Sequence, residues 1–389
     1  MIAGSDVSRE YEAALGLAWM GISPGSTLLR LAKEVGVEDL WHASARQLVA
    51  WGTAETAARV FVERRRQINL AEATLTMVRS GLRFLPVGSQ WYPPELRHLE
   101  SPPAGLFVRS SVEALSRLPE APRITVVGTR KATPEGLWAA EAFVRAFAAR
   151  GVTVVSGMAI GIDAQAHTST LDTGGSTVAI LGCGVDVIYP RRHRWLYERI
   201  TQAGIIASEL PPGSYPTKWT FPHRNRLLAA VGDAVLVIQG SNTSGALQTA
   251  KWALDLGKPV FCVPGSILRK DSEGCNTLIY EGAVPALKPE TTVEDFLLQT
   301  RIERGKRRAP DRAIAATSKR QPLPSIIADG HRHRRVLEAL GGGPASADDL
   351  VARTGLSVRE IGAALGELEA AGRVIRGGPG VYLEAPRAP

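Results

Sequence analysis

Arg123-Ile124-Thr125-Val126-Val127-Gly128-Thr129-Arg130 is the stretch that decides the fold of this chain. Its apolar, β-branched centre, 124–127, reads as a strand buried on both faces, and Gly128 ends it in a turn before a helical stretch at 134–149. The same unit recurs. Apolar strands are expected at 152–155, 177–181, 205–208, 234–238 and 260–263, with helices at 163–171, 194–203, 222–231 and 245–256 between them. Short apolar strands alternating with helices indicate a parallel sheet covered on both sides. The reading is an α/β, Rossmann-like doubly wound domain over 86–299, which binds ligands at the carboxyl ends of its strands.

On the amino-terminal side, helices are expected at 11–20, 27–35, 45–51 and, as one long element, 53–79, giving a helical domain over 1–85. The turns Gly21-Ile22-Ser23-Pro24-Gly25 and Trp51-Gly52-Thr53 faintly resemble those of helix-hairpin-helix modules, whose backbone N–H groups hold phosphate. A small SAM-like bundle with glycine turns is the plainer reading. Pro86, Pro93, Pro94, Pro102, Pro103 and Pro119 mark 86–120 as an irregular connector.

On the carboxyl-terminal side, 300–330 carries 8 basic and 3 acidic residues with scattered proline and reads as a disordered basic linker. Beyond it, over 331–389, a helix at 331–340 is followed by helix starts at Ser346 with Asp349 and at Ser357 with Glu360, the second a capping box. A hairpin at 373–376 and 381–384 turns through Gly377-Gly378-Pro379-Gly380. Together these make a winged helix. Its third helix sets Arg359 against Glu360, Glu367 and Glu369, a net acidic face that a phosphate backbone repels. A protein-contact or auxiliary role is expected for it.

The net charge of +8 sits mostly in the 300–330 segment, so a nucleic-acid surface elsewhere must come from local clustering. Cys183, Cys262 and Cys275 are dispersed, which excludes a disulfide framework or zinc site and fits a reducing cytoplasm. No apolar run approaches the roughly 18 residues that span a bilayer, and Met1 to Asp6 lack a signal-peptide pattern, so no membrane association is expected.

The densest cluster is Lys218-Trp219-Thr220-Phe221-Pro222-His223-Arg224-Asn225-Arg226, two aromatics and several cations at the start of a helix. Arg224 and Arg226 fall in the first turn, where the helix dipole disfavours positive charge, which points to an anion there. Cations beside an exposed aromatic are how single-stranded nucleic acid is held. The strand ends add turns of small residues: Gly128-Thr129-Arg130, Ser156-Gly157 with Gly161, Gly182-Cys183-Gly184, and Ser244-Gly245. Such turns offer backbone N–H groups to an anion, with Arg130, Arg191, Arg192 and Lys218 nearby in the pattern.

Other chemistries lack their parts. There is no G-x-x-x-x-G-K-[ST], no G-x-G-x-x-G at the first strand–helix turn and no nucleophile elbow, so no cofactor and no enzyme activity are expected. Asp163 and His167, four apart on one helix, read as a pair that caps and braces it. His331-x-His333 lacks further metal ligands.

Several ordered motifs resemble one family. They are Val127-Gly128-Thr129-Arg130, Ser156 to Asp163 with Ala166-His167, Gly184-Val185-Asp186 with Tyr189-Pro190, Ser208-Glu209 and Phe221 to Arg226. Ser244-Gly245-Ala246-Leu247, Val263-Pro264-Gly265 and Gly274-x-Asn276-x-Leu278-Ile279 follow. Over about 86–290 the chain resembles the DNA-processing protein A (DprA, or Smf) family. That resemblance implies a homodimeric, non-enzymatic single-stranded DNA-binding protein that protects incoming strands and loads the RecA recombinase in natural transformation. It implies Arg130 as a phosphate-binding arginine, Lys218 as a backbone lysine, Phe221 as the base-stacking aromatic, and Arg191 or Arg192 as a further cation. Three positions depart from the family pattern: Thr129 replaces a serine, Gln239 an acid, and Ala-Leu-Gln-Thr continues the second Ser-Gly motif. The rival readings are a Rossmann-like nucleotide phosphoribohydrolase and a winged-helix transcription regulator.

Overall fold

The computed structural model describes residues 4–22, 26–111, 114–115 and 121–314, then 330–341, 343, 345–357, 360–361, 364–365, 368, 374–378 and 381–384. They belong to two compact units, 1–308 and 309–389.

The first unit opens with helices α1 (Gly4–Trp19), α2 (Thr27–Val35), α3 (Val37–His42), α4 (Ala45–Ala50), α5 (Glu55–Gln67) and α6 (Leu70–Arg79). Ser26 caps α2 by accepting from the Leu29 N–H, and Ser44 with Gln47 forms a capping box on α4. The long helix expected over 53–79 is two helices. Ile68 takes an extended conformation, and Asn69 caps a new start, its Oδ1 accepting from the Glu72 N–H at 3.1 Å.

Strands β1 (Arg83–Pro86), β2 (Gly105–Ser110), β3 (Arg123–Val127), β4 (Thr153–Ser156), β5 (Thr177–Ile180), β6 (Ile205–Ser208), β7 (Ala234–Val237), β8 (Val260–Cys262) and β9 (Val284–Pro285) form one sheet. Their order is β1-β2-β6-β5-β4-β3-β7-β8-β9. Neighbours are parallel from β6 through β9, while β1–β2 and β2–β6 are antiparallel. The segment expected to be an irregular connector thus supplies an edge strand of the sheet, with Phe107 opposite Ser208. Crossovers run one way from β3 to β6, then the chain returns to the other side of β3 as β7. That reversal puts the topological switch point between β3 and β7.

Helices α7 (Pro134–Ala149), α8 (Ile162–Asp172), α9 (Arg194–Ala203), α10 (Thr220–Val231), α11 (Gly245–Asp255), α12 (Glu273–Tyr280) and α13 (Pro289–Ile314) connect and cover the sheet. Every residue of β3 is buried. One core joins Ile124 and Val126 to Phe143, Phe147 and Phe296, the last two rings meeting edge-on at 5.3 Å. Another joins Val127 and Val235 to Leu227, Leu228 and Ala250. A third packs Leu15 and Leu17 of α1 with Phe84, Phe107 and Ile206 of the sheet. The domain boundary expected at residue 85 therefore falls inside one compact unit. A buried ion pair, Arg123 to Glu95 at 2.5 Å, ties the β1–β2 connection to the start of β3.

Helix α13 runs to Ile314, into the segment expected as a linker over 300–330, of which 315–329 lie outside the described residues. In the second unit, α14 (Gly330–Leu340) and α15 (Ala347–Thr354) pack with a sheet of order β10-β12-β11, where β10 is Ala345–Ser346, β11 Val374–Gly378 and β12 Val381–Glu384. Ser346 and Asp349 form a capping box, and Ser357 with Glu360 makes the reciprocal bonds of another. Val336, Leu350, Ile361, Leu365 and Val374 close its core. This is the winged helix expected from the sequence. Arg359, Glu367 and Glu369, on which the acidic-face reading rested, lie outside the described residues.

Candidate nucleic-acid interface

At the switch point lies an open cleft of about 670 Å³. Its walls come from the turn after β3, the segment entering α10, and the start of α11, with Arg130, Lys218, Phe221, Asn225, Ser244 and Gly245 among the lining. Arg130 and Lys218 are exposed, and no ion pair of theirs occurs among the described residues. The Arg130 guanidinium stands 5.1 Å from the centre of the Phe221 ring. Phe221 in turn meets Tyr189 with ring centres 5.5 Å apart. A cation and two aromatic faces therefore share one edge of the cleft, with Lys218 on the same wall.

The loop bearing Arg130 is fixed by Gln239. The Gln239 carbonyl accepts the Thr129 N–H at 2.7 Å, its Oε1 accepts the Thr133 N–H at 3.1 Å, and its Nε2 donates to Thr133 Oγ1 at 3.1 Å. Gln239 departs from the family pattern in the sequence, but a partner 106 residues away has no local signature. Asn225, expected to touch DNA, braces the site by donating to the Gly245 carbonyl at 3.2 Å. Ser244 caps α11, its Oγ accepting from the Ala246 N–H at 3.3 Å. Gly245 is exposed, with open space where a side chain would stand.

Other expected contacts are spent inside the protein. Arg226 is buried against Glu209 in an ion pair and does not line the cleft. Arg224 lies at the cleft floor, 4% exposed, and donates to the carbonyls of Gly157 and Ile180. Both first-turn cations thus have acceptors within the protein, Arg224 in the cleft floor and Arg226 away from it. Ser156 is buried and donates to the Val126 carbonyl at 2.7 Å. The Gly157 and Ala159 N–H groups both point to the Asp163 carboxylate, at 3.2 and 3.4 Å, so this turn binds its own anion. Arg191 and Arg192 are exposed on the turn after Tyr189-Pro190, outside the cleft lining.

Asp163 is the one acid in the cleft lining, and it is 5% exposed. Burial raises its pKa, with Arg224 opposing. His167 bonds Thr177 at 2.7 Å, and burial pushes its pKa down to about 3. The two groups brace α8 separately rather than acting as an acid–base pair.

Gly161 has a geometric role. It takes φ +82°, and a β-carbon there would stand 2.3 Å from the Thr129 carbonyl oxygen and 3.0 Å from the Arg130 backbone. Gly161→Ala is expected to lose roughly 2–6 kcal/mol of stability, combining backbone strain and overpacking. Chemical denaturation of the two proteins measures it.

The described residues thus combine a doubly wound sheet, a cation-and-aromatic cleft at its switch point and, later in the chain, a winged helix. Residues 83–297 match the family described as DNA recombination-mediator protein A, and 320–379 match the DprA winged helix domain. The chain belongs to the DNA recombination-mediator protein A (DprA/Smf) family. Protein Smf of Synechocystis sp. is 32% identical over 387 residues, covering 93% of this chain and 96% of the relative. The structure of DprA from Streptococcus pneumoniae superimposes with a TM-score of 0.62 at 30% identity, covering 76% of this chain and 98% of that one. DprA from Helicobacter pylori, described for its single-stranded DNA binding mode, gives 0.51 at 28% identity over 56% and 95%. No helix among the described residues is long and apolar enough to cross a membrane.

Proposed function

We propose that the cleft binds single-stranded DNA and that the protein, as a homodimer, protects incoming strands and passes them to the RecA recombinase. The observation that carries this reading is the pairing of Arg130 with the Phe221–Tyr189 rings, with free Lys218 beside them. Phosphates meet the cations, and an unstacked base meets the Phe221 face, a contribution of about 1–3 kcal/mol per base. A duplex keeps its bases stacked and gains only the charge term. The single-strand binding reported for the Helicobacter pylori relative supports the assignment. Membership in a recombination-mediator family supports transfer to a recombinase. Exposed Ile267, Leu268 and Tyr280 support self-association.

Gel shifts with single- and double-stranded DNA of equal length test the reading. Single strands are expected to bind more tightly, with log K falling by about 0.7 per neutralised phosphate for each decade of salt. Assembly of RecA on strands coated with single-strand-binding protein is expected to quicken when this protein is added. Tighter binding to duplex at a defined sequence would instead favour the transcription-regulator reading. Release of free base from nucleoside monophosphates would favour the hydrolase, which the sequestered Asp163 disfavours.

A further inference from the structure

We infer that a second base-binding subsite lies on Trp219, next to the cleft, so that a strand held at Lys218 continues into it; this rests on the single-strand reading above. A separate pocket of about 390 Å³ is lined by Trp219, His223, Gly182 and Leu210 from the α/β part and by Gly21 and Ile22 from the segment after α1. Thr217 and Arg224 line both this pocket and the cleft, so the two lie on opposite sides of one short segment.

Trp219 is 65% exposed, and no aromatic ring packs on it among the described residues. What sets this exposed ring apart is its place beside a cation of the cleft, where a base can stack on it. The backbone below it is held in place. The Trp219 N–H donates to Thr217 Oγ1 at 3.3 Å, the Thr217 N–H to Thr220 Oγ1 at 3.1 Å, and Thr220 Oγ1 back to the Thr217 carbonyl at 3.0 Å. A rigid aromatic loses little entropy on stacking.

Charge favours the same occupant. The Lys218 ammonium sits 5.1 Å from the Trp219 ring centre, and Lys218 lines the cleft together with Phe221, so one cation serves both places. Glu209 lines the pocket but is paired to Arg226, which removes the repulsion a free carboxylate would exert on the strand. Ile22 lines the same pocket as Trp219 and adds apolar surface for a base. The amino-terminal helical region thereby contributes to the nucleic-acid path.

Fluorescence anisotropy with labelled oligothymidylates of increasing length tests the subsite in the full chain. Trp219→Ala is expected to lose about 5- to 150-fold in affinity for long oligonucleotides, the equivalent of about 1–3 kcal/mol for one stacked base. The shortest oligonucleotide that wild type retains is expected to bind unchanged, because the Phe221 cleft holds it alone. Trp219→Phe should recover most of the loss, and Ile22→Glu should reproduce it. Melting curves equal to wild type establish that Trp219→Ala remains folded. Wild-type affinity of Trp219→Ala at every length overturns the subsite. So does an equal loss at every length, which would make Trp219 part of the main cleft. Both leave the single-strand reading intact, since that reading fails only if wild type shows no preference for single strands.

Discussion

Lys218→Glu is expected to lower single-strand affinity by about 10²- to 10³-fold while leaving the melting temperature unchanged. Hydrogen bonds to charged groups contribute about 1.5–3 kcal/mol. Like-charge repulsion at contact in water adds about 1 kcal/mol. Lys218→Gln removes the attraction without adding repulsion, so it should fall between wild type and the reversal. Arg130→Glu should lose at least as much as Lys218→Glu, because its guanidinium also lies over the ring expected to stack a base. Each single change should make the salt dependence shallower by about 0.7 in log–log slope, one phosphate contact. Both side chains are exposed, so stability should stay within about 0.5 kcal/mol of wild type. Unchanged affinity together with an unchanged slope in both variants would remove the cleft as the DNA site.

What could be read in the sequence follows from how local each signal is. Strands β3 to β8 are buried on both faces, so each shows as a short apolar run between helices. β1 and β2 escaped because their partners are set by antiparallel pairing to each other and to β6, within a stretch whose prolines read as irregular. The start of α10 shows the limit for the site. Phe221, Asn225 and Leu228 line the cleft, and they recur at the spacing of one helix face. Arg226, one position past Asn225, falls off that face, and this spacing is visible in the sequence. Its partner Glu209 follows β6, 17 residues earlier, and nothing local links the two. The same holds for Gln239 and the Arg130 loop. Cations in sequence are visible; which of them already have a buried partner is decided by the packing of distant elements.

Arg226→Met is therefore expected to weaken the fold rather than the DNA contact. Arg226 and Glu209 are almost fully enclosed, with side chains 5% and 10% exposed. Removing one member of a buried pair strands the other and typically loses about 3–5 kcal/mol. At about 2–4 °C per kcal/mol for a unit of this size, the melting temperature should fall by roughly 6–20 °C. The loss should depend on pH. Burial already raises the Glu209 pKa with Arg226 beside it, and without the guanidinium nothing as strong opposes that rise. A carboxyl with a raised folded-state pKa holds a proton that the unfolded chain releases above about pH 4.3. The deficit should then be smallest below that pH and grow as pH rises through the folded-state value. Arg226→Met combined with Glu209→Leu removes both charges and should recover most of the stability, since apolar replacement of a buried pair is commonly neutral or better. At a temperature where Arg226→Met is folded, its affinity for the shortest bound oligonucleotide should stay near wild type, in contrast to Lys218→Glu. A loss of binding as large as that of Lys218→Glu, with the melting temperature unmoved, would return Arg226 to the DNA site.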